Sequence, residues 1–118
     1  MSQTPAGLLI QRVNDVQIVE FLETNVLDQA RIEQIRGELD QLVEKAGQPK
    51  LVVSFANVSH ISSAVLGVLM NLDKKVRAKH GELRLASIGP NIRQVFTITK
   101  LDKILKIFNT PQDACQKF

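Results

Sequence analysis

The sequence predicts an α/β fold: one domain in which a mixed sheet of four or five strands packs against helices. Three observations predict it. Runs of β-type residues alternate with runs of helical period along the chain, the pattern of a layered sheet whose parallel strands are joined by right-handed crossovers. The segment Leu51–Phe55, LVVSF, is short, β-branched and nearly all apolar, as a central strand covered on both faces must be. The 118 residues, 44% hydrophobic and 23% charged, suffice for one core without disulfides or metals. The domain is expected to span residues 1–118, with its core between positions 8 and 114.

The elements follow in order. Leu8–Val13 and Val16–Leu22 are two β-type runs split by Asn14 and Asp15, the turn chemistry of a hairpin, so the chain is expected to open with antiparallel strands. Ile32, Ile35, Leu39, Leu42, Val43 and Ala46 then recur at steps of three and four with charged residues between them, which makes an amphipathic helix. Asp28 stands where its N-cap belongs, and Gly47 followed by Pro49 is the stop. After the central strand, Val65, Val68, Leu69, Leu72 and Val76 mark a second helix beginning at Ser62 or Ser63 and ended by Gly81. Leu66 and Met70 lie beside that stripe.

Glu82–Ala86 alternates like a strand. Pro90 then fits a first helical turn, ahead of Ile92, Val95, Phe96 and Ile98 at helical spacing. Ile104–Phe108 is read as a last short strand. Thr110, Pro111 and Asp113 have the order of a cap, an N1 proline and an acidic third residue, which predicts a terminal helix.

Composition excludes several classes. A single cysteine, Cys115, forms no internal disulfide, and no Cys/His spacing fits zinc. The start MSQTPAGLLIQ lacks the basic and apolar regions of an export signal, and no apolar run approaches the roughly 20 residues needed to span a bilayer. A cytoplasmic protein with no membrane insertion is expected. The net charge of +3 includes clusters at Lys74, Lys75, Arg77 and Lys79 and at Lys100, Lys103 and Lys106, but there is no Trp or Tyr to stack bases, so no direct nucleic-acid binding is expected. The first cluster falls in the last turns of its helix, where cations complement the helix dipole. No glycine-rich phosphate loop or metal motif appears, so neither cofactor nor metal is expected.

The chemistry-bearing stretch is Phe55–Met70, FANVSHISSAVLGVLM. A serine at a helix start accepts a hydrogen bond from free backbone N–H groups and stabilises by about 0.5–2 kcal/mol, so one of Ser62 and Ser63 is expected to cap. A serine hydrolase needs a base, an orienting acid and the elbow Gly-x-Ser-x-Gly; HISSAVLG lacks the elbow, and His60 two residues before a serine is no evidence of geometry. A non-enzyme is expected.

These residues resemble the STAS domain family, named for sulfate transporters and anti-sigma factor antagonists. LVVSFANVSHISSAVLGVL follows the family's strand, turn and helix pattern, and IGPNIRQVFTITKLDKILKIFNT is similar to a family stretch running from a small residue and proline to a Leu-Asp-Lys and a final Phe. The resemblance covers Leu8 to Ala114. It puts Ser63 on the family's phosphorylatable serine and Ser62 where the family often has aspartate. Ala64 and Val65 stand for the usual Ser-Gly, and Ser54 and Asn57 occupy other positions that are often acidic or glycine.

The resemblance implies a bacterial anti-sigma factor antagonist, a regulator of transcription that binds an anti-sigma factor of GHKL kinase type until serine phosphorylation ends the contact. Ser63, with Ser62 as the other candidate, is then the phosphorylation site. Asn57, Ser59, His60, Ser62, Ser63, Leu66 and Met70 form the partner surface. The alternative it implies is a non-catalytic STAS scaffold, either of a stress-signalling complex or of a lipid-transport ABC system.

Overall fold

The structure, a computed structural model, describes residues 2–116 and 118. A hairpin of β2 (Leu8–Val13) and β3 (Val16–Phe21) turns at Asn14, whose φ of 56° is a left-handed value that asparagine tolerates. The two-residue β1 (Ser2–Gln3) extends it on the outer edge. From β3 the sheet continues in parallel through β5 (Lys50–Ser54), β7 (Glu82–Ala86) and β8 (Lys106–Phe108), in the order β1-β2-β3-β5-β7-β8. Five strands of three or more residues therefore form the expected mixed sheet among the described residues, and β5 is central.

Register assigns the two faces. Val19, Val53, Leu85 and Ile107 lie in one row across the four parallel strands and face the main core. That core is roofed by α1 (Gln29–Lys45) and α2 (Ser63–Ala78). Asp28 caps α1 as expected, accepting from the Arg31 N–H at 2.9 Å. Ile32, Ile35, Leu39 and Val43 of α1, and Val65, Val68, Leu69, Leu72 and Val76 of α2, are all buried. Phe21, Phe55 and Phe96 meet in the centre, Phe55 tilted against Phe21 and edge-on to Phe96, with centroids 5.1 and 6.2 Å apart. Phe96 comes from α3 (Pro90–Ile98), which leads into a 3-10 turn at Leu101–Lys103.

Lys79, read from sequence as complementing its own helix, does more. Its ammonium donates to the carbonyls of Val43, Glu44 and Ala46 at 2.8–2.9 Å, closing the C-terminal end of α1. Lys79→Met keeps most of the apolar stem and removes all three charged bonds. A loss of about 2 kcal/mol in urea unfolding is expected, the usual worth of hydrogen bonds to a charged group.

The opposite face of the sheet carries Ile18, Val52 and Arg84 in one row, and it is covered by the short α4 (Pro111–Ala114) with Cys115 and Phe118. Thr110 caps α4 by accepting from the Asp113 N–H at 3.1 Å. Alternation in ELRLA would suggest a solvent-facing arginine, yet Arg84 is buried. Its guanidinium lies 3.9 Å from the Phe118 ring centroid and 5.2 Å from that of Phe108, and it donates to the carbonyls of Ala114 and Gln116. Cys115 is half-buried on this face, and burial pushes its thiol up.

Burial pushes the Glu82 carboxyl up, but its hydrogen bond to Arg84 and the charges of Arg84 and Lys106 outweigh this and leave it lowered. A lowered carboxyl contributes stability above its ordinary value of 4.5 and loses it as pH falls through the folded value. Glu82→Gln is therefore expected to melt below wild type at neutral pH and to converge with it in acid below 4.5. Thermal melts across a pH series check this.

Candidate functional site: the loop between β5 and α2

Beyond β5 the chain makes a tight turn, with the Val58 N–H donating to the Phe55 carbonyl at 3.0 Å and Val58 buried as its anchor. It then forms β6 (His60–Ile61), which pairs in parallel with β4 (Asn25–Val26), a two-residue strand between β3 and α1. The Ser59 N–H donates to the Thr24 carbonyl at 2.8 Å and the Ser62 N–H to the Val26 carbonyl at 3.1 Å. Side chains add two ties: Asn57 Nδ2 donates to Glu20 Oε1 at 3.2 Å, and His60 Nδ1 lies 2.9 Å from Asn25 Oδ1. The loop is thus fixed by its backbone while Asn57, Ser59, His60 and Ser63 remain exposed.

Ser62 stands at the N-cap of α2, but its hydroxyl caps nothing. The oxygen is buried and without a hydrogen-bond partner. The Val65 N–H instead reaches the Ser62 backbone carbonyl at 3.1 Å. This corrects the expectation that one serine of the pair caps: the position is that of a cap and the bond is missing. Ser63 is the first helical residue, exposed, at an N-terminus with no side-chain cap and no acidic residue in the first turn.

Ser63, Leu66, Gly67 and Met70 share one helix face by their spacing. Leu66 and Met70 are half-buried, each with part of its surface on the main core. Gly67 is exposed, with open space around it. Together the fixed loop and this face make a small surface with a hydroxyl at its centre, apolar flanks and a helix N-terminus behind it. Such a surface suits contact with another protein, and a negative group on Ser63 would sit at the favourable end of the helix dipole.

Sequence reasoning missed the far side of the loop. Leu27, 53% exposed, directly follows β4, and Asn25 and Glu20 hold His60 and Asn57. No periodicity could signal a two-residue strand whose partner lies some 35 residues away. His60 is tied to Asn25, as suits a surface histidine. Among the described residues no three His, Cys, Asp or Glu side chains converge as a metal site, and no helix is long and apolar enough to cross a membrane.

This loop and sheet belong to a known class: the STAS domain profile matches residues 9–114, and the chain is a member of the STAS domain family. BtrV of Bordetella bronchiseptica, provisionally named an anti-sigma factor antagonist, is 33% identical over 93 residues, 79% of each chain. The crystal structure of TM1081 from Thermotoga maritima, provisionally named the same way, matches with a TM-score of 0.81 at 25% identity, covering 93% of this chain and 92% of that one. The anti-sigma factor antagonist SpoIIAA, solved in unphosphorylated and phosphorylated forms, matches with TM-scores of 0.78 and 0.71 over 91% of this chain and 91% and 95% of its own. At 18% identity that likeness carries the fold alone.

Proposed function

We propose that this protein is a non-enzymatic, cytoplasmic anti-sigma factor antagonist that binds a serine kinase of GHKL type and is switched by phosphorylation of Ser63. The observation that carries the reading is Ser63 itself: exposed on the first turn of α2, beside a loop fixed by backbone bonds, and flanked by half-buried Leu66 and Met70. The names of BtrV and SpoIIAA support the partner class, and the existence of a phosphorylated SpoIIAA supports the switch. The proposed surface comprises Asn57, Ser59, His60, Ser62, Ser63, Leu66 and Met70, and we add Leu27, which is exposed directly after β4.

Incubation with an anti-sigma factor kinase of this type and ATP, followed by intact mass, tests the switch. One added phosphate on wild type and none on Ser63→Ala is expected. Binding without any added phosphate would favour the second reading, a non-catalytic scaffold of a stress-signalling complex or lipid-transport system. What recommends that reading is the uncharged Ser62 where the family often has aspartate.

Met70→Asp tests the surface. Because Met70 is only half-buried, its replacement is expected to weaken partner binding by about tenfold or more, while urea unfolding shows a loss of no more than about 1–2 kcal/mol. A fully buried position would instead lose several kcal/mol to an unpaired carboxylate. A collapsed fold in Met70→Asp therefore assigns this residue to the core.

A further inference from the structure

We propose that the outer face of α3 and the 3-10 turn after it is a second docking surface, fitted to an acidic protein segment that presents an apolar side chain. Sequence spacing places Ile98 in the apolar stripe of α3, but Ile92 and Phe96 take the core and Ile98, about 200° further round from Phe96, is left 79% exposed. Among the described residues it is the most exposed of the large apolar side chains, with Ile104 after the turn at 43%. Ile98 lines an open groove of about 610 Å³ with Pro90, Arg93, Gln94 and Thr97. A single exposed isoleucine needs no explanation by itself. The charge around it does.

Residues 88–109 hold four basic side chains, Arg93, Lys100, Lys103 and Lys106, against one acidic, Asp102, which equals the whole net charge of +3. The rest of the chain is balanced. Six cations elsewhere are paired, Arg31 with Glu23, Arg36 with Glu33 and Asp40, Lys50 with Asp15, Lys75 with Asp40, Arg77 with Asp73 and Arg84 with Glu82, while among the described residues Arg12, Lys45, Lys74 and Lys79 are in no ion pair. Among the described residues Arg93, Lys100 and Lys103 take part in no ion pair. Three exposed cations outside any ion pair, Arg93 in the groove beside Ile98 and Lys100 and Lys103 in the turn that follows it, are complementary to an acidic partner and steer it there.

The same features argue against other occupants. A second copy would bring the same cations to this face. An anionic membrane calls for clusters of about 4–8 basic residues, whereas of the four here Lys106 is paired with Glu82 and Asp102 offsets another. A single strand of nucleic acid needs stacking platforms, but Phe21, Phe55 and Phe96 are buried in the core and Phe108 and Phe118 flank Arg84. The groove shares no residue with the Ser63 surface.

The test is a titration of the isotope-labelled full chain with a synthetic helical peptide of glutamate and leucine, followed by amide NMR shifts. Shifts confined to residues 90–104 are expected, with affinity falling about tenfold in the Lys100→Glu, Lys103→Glu double variant. Independently, Ile98→Ser is expected to weaken binding, while Ser63→Asp leaves it unchanged. All four positions are exposed, and thermal melts verify that the variants fold. The proposal is overturned by an absence of shifts, by shifts on another face, or by an equal response to a lysine-leucine peptide. It is likewise overturned if only phosphatidylglycerol vesicles or duplex DNA bind at residues 90–104, or if the face associates with itself as concentration rises.

Discussion

Gly81→Ala is expected to destabilise the fold by about 3 kcal/mol or more, the largest single-residue effect on stability that the structure identifies. A Cβ on Gly81 would stand 2.1 Å from the Pro49 carbonyl oxygen and 2.9 Å from its carbon. Both are backbone atoms, so no side chain can swing aside. The carbonyl cannot retreat freely either, because it accepts from the Glu82 N–H at 2.9 Å and thereby sets β7 in register beside β5. Relief of the clash must part the two central strands at their start, above the row that begins with Leu51 and Leu83. The same substitution at Gly47, where an added methyl meets nothing within 4 Å, is the control and is expected to stay within about 0.5 kcal/mol of wild type. Urea unfolding of both variants decides: equal midpoints would mean that the approach of Pro49 to Gly81 does not hold in solution.

Gly81 also marks the limit of what periodicity discloses. It reads as a helix stop, and α2 does end just before it, yet the left-handed residue at that end is His80, with φ of 60°. Gly81 is required for a different reason, a close approach between segments more than 30 residues apart, which no local pattern encodes. The same division runs through the molecule. The stripes of α1 and α2, the doubly buried LVVSF strand and the caps at Asp28 and Thr110 were legible because each follows from local spacing or from a side chain's reach to a nearby N–H. Arg84 was not, because alternation cannot say that a short helix will fold over the sheet's second face and offer its carbonyls. Ile98 matched the helical period and still lost its place, since the core takes only Ile92 and Phe96 from α3. At the candidate site the exposed residues of the loop were legible, whereas the β4–β6 pairing that fixes them was not.

Ser63→Asp is expected to melt within about 1 kcal/mol of wild type and to bind its partner at least about a hundredfold more weakly, the largest expected effect on function. The two halves of this result have separate causes. A negative group on the first residue of α2 faces the positive end of the helix dipole, and no acidic residue in the first turn opposes it. Ser62 is uncharged where an aspartate would repel, so a phosphate of about −1.5 to −2 charge on Ser63 is also compatible with the folded chain. In the complex the same charge must be stripped of water against a surface that includes Leu66 and Met70, and a desolvated charge without a partner costs several kcal/mol. Ser63→Ala, which is neutral and small, is expected to bind like wild type and to resist the kinase. Ser62→Ala separates the neighbouring hydroxyl from this account. Because the Ser62 oxygen is buried without a hydrogen-bond partner, its removal is expected to leave stability unchanged or to raise it by up to about 1 kcal/mol, where loss of a true cap would lower it by a similar amount. Calorimetry of binding and unfolding on the three variants measures both halves. If Ser63→Asp binds as tightly as wild type, the contact does not run across the start of α2, and the partner must engage a face that Ser63 does not govern.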